Sequence, residues 1–325
     1  MLITGASGFV GSHLAEVLAR HKVKVKLLVR STSRIPFKPT AQMELCYGDV
    51  TDLESVRKAM KGVKVVYHLA GILRGSDREQ FENVNARGTE NVCKAMAEEK
   101  SAKRLVCVSS LSAAGPSQIG RAINEKDPCR PVSLYGETKL KGERIALSYG
   151  KKFQVSVIRP AAVYGPRETD IFAYFKMVRQ GLVLIPGDGS QEISFVHVAD
   201  VVDSIILAGQ SPKAVGQVYF VSDGKSYRWE DFAGVVGRVL KRSFITIRVP
   251  MGIVRIVAEL GELGAKMTGK PTMINRDKIK EGMVPAWVCS NEKIRKQLGF
   301  KPRFDLEKGI RDAVQFYLSA KWLKP

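Results

Sequence analysis

The sequence predicts an α/β protein, a doubly wound parallel sheet followed by a smaller, mostly helical C-terminal part. Three observations favour this class. Short β-branched runs alternate with helix-like runs over the first two thirds of the chain. The 325 residues exceed the usual size of a single core, and 45% of them are hydrophobic, which is typical of globular proteins. The composition therefore excludes collagen, coiled coil and disorder.

The predicted strands of the first part are mostly apolar, as expected of parallel strands buried on both faces. They are Met1–Thr4, Val23–Val29, Met43–Gly48, Val63–Leu69, Arg104–Ser109 and Val155–Arg159. The predicted helices between them are Val10–Arg20, Leu53–Lys61, Val84–Lys100 and Tyr135–Tyr149. Such alternation places helices on both faces of one sheet.

The alternation loosens in the last third of the chain. The predicted strands there are Ser194–Val198, Gln217–Val221 and Phe244–Val249. The predicted helices are Ile171–Gln180, Ala199–Ala208, Trp229–Leu240, Met251–Met267, Glu292–Leu298 and Leu306–Leu318. We expect a larger domain made of residues 1–165 plus 191–224, and a smaller one made of residues 166–190 plus 225–325.

The charge is strongly basic, with 52 Lys and Arg against 32 Asp and Glu and a net charge of +20. A solvated surface, a phosphorylated cofactor, an anionic substrate or an anionic membrane face could each account for it. No nucleic-acid-binding module is present, so we expect no nucleic-acid partner. Five cysteines without CxxC spacing and four scattered histidines predict neither disulfides nor a metal site. Without a long apolar run or signal peptide, we expect no transmembrane helix and a cytoplasmic protein.

A glycine-rich segment, Gly5-Ala-Ser-Gly8-Phe-Val-Gly11, joins the first strand to the first helix. The first glycine allows a tight turn, the second lets backbone N–H groups approach a pyrophosphate, and the third lets the helix pack closely. The N-terminus of the helix adds about half a positive charge. We predict a Rossmann-type domain whose dinucleotide phosphates lie on Gly5, Ser7, Gly8, Phe9, Val10 and Gly11.

The end of the second strand bears on the choice of dinucleotide. An acid there would bind the ribose 2′-hydroxyl of NAD, whereas an Arg would receive the 2′-phosphate of NADP. The strand ends at Arg30, and the next acid is Glu44. Arg30, with Ser31 or Arg34, can bind the phosphate by charge-assisted hydrogen bonds. NADP(H) is favoured, with NAD(H) as the alternative if Arg30 stacks on adenine.

Tyr135 and Lys139 are four residues apart on a predicted helix, so they share one face. The pKa of a free tyrosine is near ~10, and a neighbouring ammonium group lowers it. Such a phenol can donate a proton to a carbonyl oxygen as hydride arrives, or remove one from an alcohol. The pair predicts carbonyl–alcohol chemistry with Tyr135 as acid and base.

These motifs resemble the extended short-chain dehydrogenase/reductase family, also called the NAD-dependent epimerase/dehydratase family. The resemblance rests on the GxxGxxG spacing and on segments that follow in order: Gly48–Asp52, His68–Gly71, Val84–Val92, Val108–Gly115, Tyr135–Lys139 and Arg159–Pro166. It covers nearly the whole chain, most specifically residues 1–200, and it implies the fold predicted above.

The resemblance implies roles for further residues. Ser110, five residues before Gly115, would polarise the substrate oxygen, Asn85 would complete the catalytic set, and Lys139 would also bind the nicotinamide ribose. Further cofactor contacts would come from Asp49, Val50, Leu69, Ala70, Gly71, Asn85, Ser109, Tyr135, Pro160 and Val163. Apart from the resemblance, the position of His68 and His197 at strand ends predicts that both anchor backbone.

Three departures from the family's nucleotide-sugar enzymes concern the substrate. Leu111-Ser112 stand where sugar dehydratases carry Asp-Glu. Ala162 and Ile193 stand where an Asn and an Arg would hold a sugar diphosphate, which would then be poorly paired. Arg167 is left either as a phosphate ligand or as the partner of Glu168 or Asp170.

Apolar features replace those polar groups, and the overall pattern resembles 3β-hydroxysteroid dehydrogenase and dihydroflavonol 4-reductase relatives. Ile72-Leu73 could line an apolar cleft. The Met251–Met267 helix could pack inside the smaller domain, roof a lipophilic pocket or lie on a membrane surface.

The sequence therefore predicts an NAD(P)-dependent oxidoreductase that interconverts a ketone and a secondary alcohol. Its substrate would be a bulky apolar small molecule of steroid, flavonol or polyketide type. The alternatives are a nucleotide-sugar epimerase with tightly bound NAD and a cofactor-binding scaffold or regulator, the latter opposed by intact Ser110, Tyr135 and Lys139. Peripheral membrane contact and a homodimer are both compatible with the sequence.

Overall fold

The computed structural model describes residues 1–75, 77–257, 259 and 276–323. Its strands are β1 (Leu2–Thr4), β2 (Val25–Val29), β3 (Met43–Tyr47), β4 (Val65–His68), β5 (Arg104–Val108), β6 (Gln154–Pro160), β7 (Ala162–Tyr164), β8 (Leu182–Pro186), β9 (Glu192–Ile193), β10 (Phe195–His197), β11 (Gln217–Val221), β12 (Tyr227–Arg228), β13 (Ile245–Val249) and β14 (Ala286–Trp287).

The helices alternate with these strands. They are α1 (Phe9–Arg20), α2 (Leu53–Met60), α3 (Arg78–Phe81), α4 (Gly88–Glu98), α5 (Leu111–Ala114), α6 (Leu134–Ser148), α7 (Phe172–Gln180), α8 (Val198–Gln210), α9 (Trp229–Leu240), α10 (residues 251–257), α11 (Arg276–Met283), α12 (Glu292–Leu298) and α13 (Leu306–Ser319). A π-helical turn, Glu82–Arg87, joins α3 to α4. Within the described residues, no helix is both long and apolar enough to span a membrane.

A seven-stranded sheet with the order β11-β6-β5-β4-β1-β2-β3 carries the larger part of the fold. All its pairings are parallel, so every strand ends at the same edge. Neighbouring residues of β5 point to opposite faces: Val106 joins the core under α1 and α8, and Leu105 joins the core under α2 and α4. The predicted doubly wound parallel sheet is confirmed.

A third core, rich in aromatic residues, lies outside this sheet. Phe175 of α7, Phe232 of α9 and Tyr317 of α13 meet in it, with ring centroids 5.1 to 5.6 Å apart. Two small sheets, β13-β8 and β12-β9-β14, border this region. Ile294 of α12 and Phe300 pack instead in the core of the large sheet. The division into two domains with the predicted boundaries stays a proposal.

The predicted strands of the large sheet, and the helices α1, α2 and α6, agree with the structure within two residues at each end. The predicted Val84–Lys100 helix is wrong in detail, because helical structure begins at Arg78 and passes through the π-helical turn. The segment Arg159–Pro166, part of the family resemblance, contains β7, which the sequence did not reveal and which pairs with β10. Of the predicted Met251–Met267 helix, residues 251–257 are helical, and its end lies outside the described residues.

The sequence did not reveal β8, β9, β12, β14 or α11. The strands β9, β12 and β14 have two residues each, too few to show a period. The apolar run of β8 follows α7 directly, and such a short run cannot be told from a buried helix by periodicity.

Candidate active site

The glycine-rich loop between β1 and α1 is a tight cradle. Gly5 has φ +73°, and a Cβ on it would lie 2.7 Å from the backbone nitrogen of Ala70. A Cβ on Gly11 would lie 2.2 Å from the carbonyl oxygen of Gly5. Gly8 is the N-cap of α1, and no side chain in the described part of the chain caps this helix end. The first N–H groups of α1 are therefore available to an anionic ligand.

Ser109 adds a second indication of a ligand at this edge. It follows β5, is 6% exposed, and its hydroxyl has no hydrogen-bond partner among the residues that the structure describes. A buried hydroxyl without a partner is costly unless a bound molecule or water satisfies it. The glycine cradle, the open helix end and this hydroxyl together fit a dinucleotide.

The end of β2 presents free positive charge. Arg30, Ser31 and Arg34 are all exposed. No carboxylate within the described ranges forms a salt bridge with Arg30 or Arg34, so both guanidinium groups are available to a phosphate.

Asp49 and Val50, the two residues expected to contact adenine, have different surroundings in the structure. One carboxylate oxygen of Asp49 accepts hydrogen bonds from the N–H and hydroxyl of Thr51, each 2.9 Å long. Val50 is buried, and its side chain packs against Gly88. Its carbonyl accepts a hydrogen bond from Asn91 at 2.9 Å, so any contact of Val50 with a ligand would come from its N–H.

His68 organises the floor of the site through side chains. Its Nδ1 lies 2.7 Å from Thr4 Oγ1, and its Nε2 lies 2.9 Å from Thr89 Oγ1. Thr4 Oγ1 accepts the N–H of Ala70, and the Thr89 hydroxyl donates to the carbonyl of Asn85. Burial lowers the pKa of His68 to about 3, with a smaller effect from Lys139, so the ring is neutral. His68, predicted to anchor backbone at a strand end, does so through the two threonines, which make the backbone contacts.

Asn85 connects two parts of the site. It is buried in the π-helical turn, and its Oδ1 accepts the N–H of Ile72 at 2.9 Å. Its Nδ2 donates to the carbonyl of Ile72 at 3.2 Å and to the Thr138 hydroxyl at 3.1 Å. Asn85 thus fixes the loop after β4 to α6, which is a positioning role. A π-helical turn often marks such a functional position.

Ser110 and Tyr135 meet at the carboxyl edge of the sheet. The Ser110 hydroxyl is a hydrogen-bonding neighbour of the Tyr135 phenol. Ser110 also caps α5 by accepting the N–H of Ser112 at 3.1 Å. Burial raises the pKa of Tyr135 to about 12. The hydrogen bond from Ser110 lowers this pKa, and the charge of Glu281 raises it. The phenol therefore keeps its proton at neutral pH when no ligand is bound.

Lys139 is placed differently from the sequence expectation. Its Nζ donates to the carbonyl of Val108 at 2.8 Å and faces Gly71, from whose added Cβ it would be 3.5 Å away. Burial lowers the pKa of Lys139. The sequence predicts that Lys139 lowers the pKa of Tyr135. This expectation is not met, because the groups that change this pKa besides burial are Ser110, which lowers it, and Glu281, which raises it. The carbonyl of Val108 holds the ammonium group on the cofactor side.

Two carboxylates of α11, which sequence reasoning missed, hold the start of α6, the helix that carries Tyr135 and Lys139. Glu281 accepts a hydrogen bond from the hydroxyl of Ser133 at 2.8 Å, and Asp277 accepts the N–H of Leu134 at 2.9 Å. Gln191 in turn holds the end of α11 by donating to the carbonyl of Val284 at 2.8 Å. The only sequence signal was the four-residue spacing of the two acids, which places them on one helix face.

The remaining predicted residues lie at the end of β6 and in β7. Pro160 ends β6 and is buried, and Val163 lies in β7, opposite Val196 of β10. Ala162 is half-buried in β7 and Ile193 is buried in the aromatic core, so neither position offers a polar group.

Arg167 has partners that the sequence did not predict. It donates to the Ser12 hydroxyl at 3.0 Å and pairs with Glu16, both on α1. The expected salt bridge with Glu168 or Asp170 is wrong, because Arg167 has φ +74° and its side chain reaches back to α1. Engaged in this way, Arg167 is poorly available as a phosphate ligand.

The loop after β4 reaches across the cleft. Arg74 pairs with Asp170, which precedes α7. Leu73, beside it, is 53% exposed, and Ile72 is half-exposed. This ion pair fastens an apolar loop of the cofactor side to the segment that leads into α7.

The histidines and cysteines contribute no further reactive group to this site. His197 accepts the N–H of Ala199 at 3.3 Å and stacks on Phe304, which confirms its predicted backbone-anchoring role. All five cysteines are free thiols. In the described ranges, no three His, Cys, Asp or Glu side chains are grouped to hold a metal ion.

The chain is similar in sequence and in fold to known proteins. A sequence model described as the NAD dependent epimerase/dehydratase family matches residues 1–222. Ceramide reductase of Caulobacter vibrioides is 26% identical, over 99% of this chain and 95% of that protein. The 3 beta-hydroxysteroid dehydrogenase/Delta 5-->4-isomerase of Mycobacterium tuberculosis is 27% identical, over 98% and 90% respectively. The structure of UDP-glucose 4-epimerase from Thermotoga maritima has a TM-score of 0.83 and 19% identity, over 98% and 99%, and shows the shared fold.

Proposed function

The chain belongs to the NAD dependent epimerase/dehydratase family and is an oxidoreductase of the extended short-chain dehydrogenase/reductase type, and on this premise we propose a specific reaction. The protein interconverts a ketone and a secondary alcohol on a bulky, largely apolar molecule. NADP(H) is the proposed cofactor.

The proximity of the Ser110 hydroxyl to the Tyr135 phenol carries this proposal. It brings a hydroxyl donor and a proton donor to one point at the edge of the sheet, beside the glycine cradle. A bound nicotinamide would supply or accept the hydride. Ser110 would hold the carbonyl oxygen, and Tyr135 would transfer its phenolic proton to that oxygen. In the direction of oxidation, Tyr135 would take the alcohol proton back.

The cofactor residues would divide the dinucleotide between them. The loop Gly5–Gly11 and the N-terminus of α1 would hold the pyrophosphate, and Asp49 and Val50 would face the adenine. Lys139, held by the carbonyl of Val108, would donate to the nicotinamide ribose. Ser109 would find its missing hydrogen-bond partner in the same ligand. The exposed, unpaired Arg30 favours a 2′-phosphate, and hence NADP(H) over NAD(H).

An apolar substrate is supported by what the cleft lacks. Ala162 and Ile193 offer no hydrogen bond to a diphosphate, and Arg167 is engaged with Glu16. Two relatives are named for ceramide and for a 3β-hydroxysteroid, which are both bulky and largely apolar. Cytoplasmic location and a homodimer stay predictions.

The test is a substrate panel with the purified full chain. Ring ketones and long-chain ketones are offered with NADPH or NADH, and turnover is followed by nicotinamide absorbance. In Tyr135→Phe we expect turnover to fall by roughly 10²–10⁴ with cofactor binding retained, since only the proton donor is lost. Tyr149→Phe, at the other end of α6, is the matched control.

Two outcomes would overturn the proposal. Near-normal turnover in Tyr135→Phe would remove Tyr135 as the acid. Protection against thermal unfolding by millimolar UDP in the presence of cofactor would favour the nucleotide-sugar epimerase, because a ligand stabilises only a protein that binds it.

A further inference from the structure

The sheet formed by β8 and β13 has an apolar outer side. The strands are parallel, with Leu182 opposite Ile245 and Leu184 opposite Ile247. These four side chains are 41%, 70%, 43% and 47% exposed, in that order. The residues between Leu182 and Pro186 that point inward, Val183 and Ile185, are buried in the aromatic core. Alternation along the strands thus turns one apolar face inward and a second one outward.

The helix α10 begins beside this sheet. It follows β13 after Pro250, and Met251 lies beside Gly187, at the end of β8. Ile253 and Ile256 are 52% and 59% exposed. We call the six residues the apolar face: Leu182, Leu184, Ile245, Ile247, Ile253 and Ile256. A contiguous exposed apolar patch on a folded protein usually marks an interaction surface.

Positive charge lies next to the apolar face, in the turn that leads into β13. Between residues 232 and 258 the chain has five Lys and Arg and no acid. Lys241 and Arg242, in the turn that leads into β13, are exposed, and no carboxylate of the described chain pairs with either. Arg248 and Arg255 do have partners, Glu230 and Glu259. The surface therefore combines exposed aliphatic side chains with uncompensated cations.

This combination of exposed aliphatic and positively charged side chains distinguishes two candidate occupants of the face, a second copy of the chain and a lipid bilayer. A second copy of the chain, with a net charge of +20, would bring like charges against like. A bilayer that contains anionic phospholipids offers acyl chains to the aliphatic residues and headgroup charge to Lys241 and Arg242. We propose that the apolar face docks this protein on the surface of an anionic phospholipid bilayer.

Docking would be shallow and would leave the active site close to the bilayer. The strands β8 and β13 have five residues each, and only their outer side chains would enter the interface. Gln191, five residues after β8 ends, holds α11, whose carboxylates hold the start of α6. One short segment, between the end of β8 and Gln191, therefore connects the apolar face to the residues that hold α6.

Vesicle co-sedimentation of the full chain tests the inference. Vesicles of phosphatidylcholine alone are compared with vesicles that also contain phosphatidylglycerol, at low and at high salt. We expect binding to the anionic vesicles only, weakened by salt. In the double variant Leu184→Ser/Ile247→Ser, the partition coefficient should fall at least tenfold. The control is Ile119→Ser, which removes an isoleucine of similar exposure, 54%, from another surface.

A second pair of variants tests the charge. Lys241→Gln/Arg242→Gln should weaken vesicle binding several-fold and reduce its salt dependence. Lys151→Gln/Lys152→Gln, two adjacent exposed cations elsewhere, should bind like wild type. All substituted side chains are exposed, so thermal unfolding should be unchanged and should confirm that the variants fold.

Three outcomes of these experiments would overturn the inference. Failure of the wild type to bind anionic vesicles, or equal binding by wild type and Leu184→Ser/Ile247→Ser, overturns the inference. A wild type that is dimeric, with a monomeric Leu184→Ser/Ile247→Ser variant and no vesicle binding, assigns the face to contact between copies and also overturns it. None of these measurements uses catalytic turnover, so their outcome is independent of the proposed reaction.

Discussion

Replacement of Arg30 by alanine should distinguish the two nicotinamide cofactors. Arg30 follows β2, at the edge where the adenine half of a dinucleotide would lie, and its guanidinium is exposed. Within the ranges described, it has no carboxylate partner to lose. Arg30→Ala therefore removes a positive charge without leaving an unpaired negative one.

The size of the effect follows from this exposure. A hydrogen bond to a charged group contributes about 1.5–3 kcal/mol, and solvent screening at an exposed site reduces such interactions. We expect a loss of about 1–2 kcal/mol for NADPH, which is roughly 5- to 30-fold in Kd. NADH carries no 2′-phosphate, so its Kd should change less than about twofold.

Calorimetric titration of both cofactors measures the difference. Arg20→Ala is the control, because it removes an exposed arginine from the C-terminal end of α1, away from the glycine loop. Equal weakening of NADPH and NADH in Arg30→Ala would refute the phosphate contact. A wild type that prefers NADH would refute the NADP assignment itself.

Three further predictions concern protonation and backbone geometry. Glu281→Gln removes the charge that raises the pKa of Tyr135, so the alkaline limb of the pH–rate profile for ketone reduction should move to lower pH. Gly11→Ala places a methyl group against the carbonyl of Gly5 and should cost about 1–3 kcal/mol of stability and weaken cofactor binding, measured by thermal unfolding with and without NADPH. His68 has a folded pKa of about 3 against about 6.5 in the unfolded chain, so its contribution to stability is complete above pH ~6.5 and is lost as pH falls, by about 2 kcal/mol at pH 5. Denaturant unfolding at several pH values should show a shallower acid slope in His68→Asn.

Each of these has a matched control. Glu292→Gln removes an exposed carboxylate of α12 and should leave the pH profile in place. Gly150→Ala adds a methyl group where no atom lies within 4 Å, and should be neutral. His21→Asn changes an exposed histidine and should keep the acid slope of the wild type. If Glu281→Gln leaves the alkaline limb of the pH–rate profile in place, the argument about the charge of Glu281 is contradicted. A Gly11→Ala variant with unchanged stability would contradict the steric argument. An acid slope of the unfolding free energy that is unchanged in His68→Asn would contradict the argument about His68.

The sequence by itself determined the large sheet, the glycine cradle and the shared helix face of Tyr135 and Lys139. Strands buried on both faces, such as β5, must be apolar throughout, so they stand out from the polar segments between them. The roles of Gly5 and Gly11 follow from local backbone geometry, and a four-residue spacing puts Tyr135 and Lys139 on one helix face whatever the rest of the chain does. These features depend on residues that are close together in the chain, so they can be recognised from the sequence alone.

Only the tertiary structure decided which groups surround those residues. Burial raises the pKa of Tyr135, and Ser110 and Glu281 modify it. Val108 holds Lys139, and Arg167 turns back to Glu16. Most of these partners are distant in the sequence, and the strength of each interaction depends on burial. Burial is a property of the packed chain, since it is fixed by what covers a group in space. The outward apolar side of β8 and β13 has the same origin, because only the packed chain shows that one side of these strands is left uncovered.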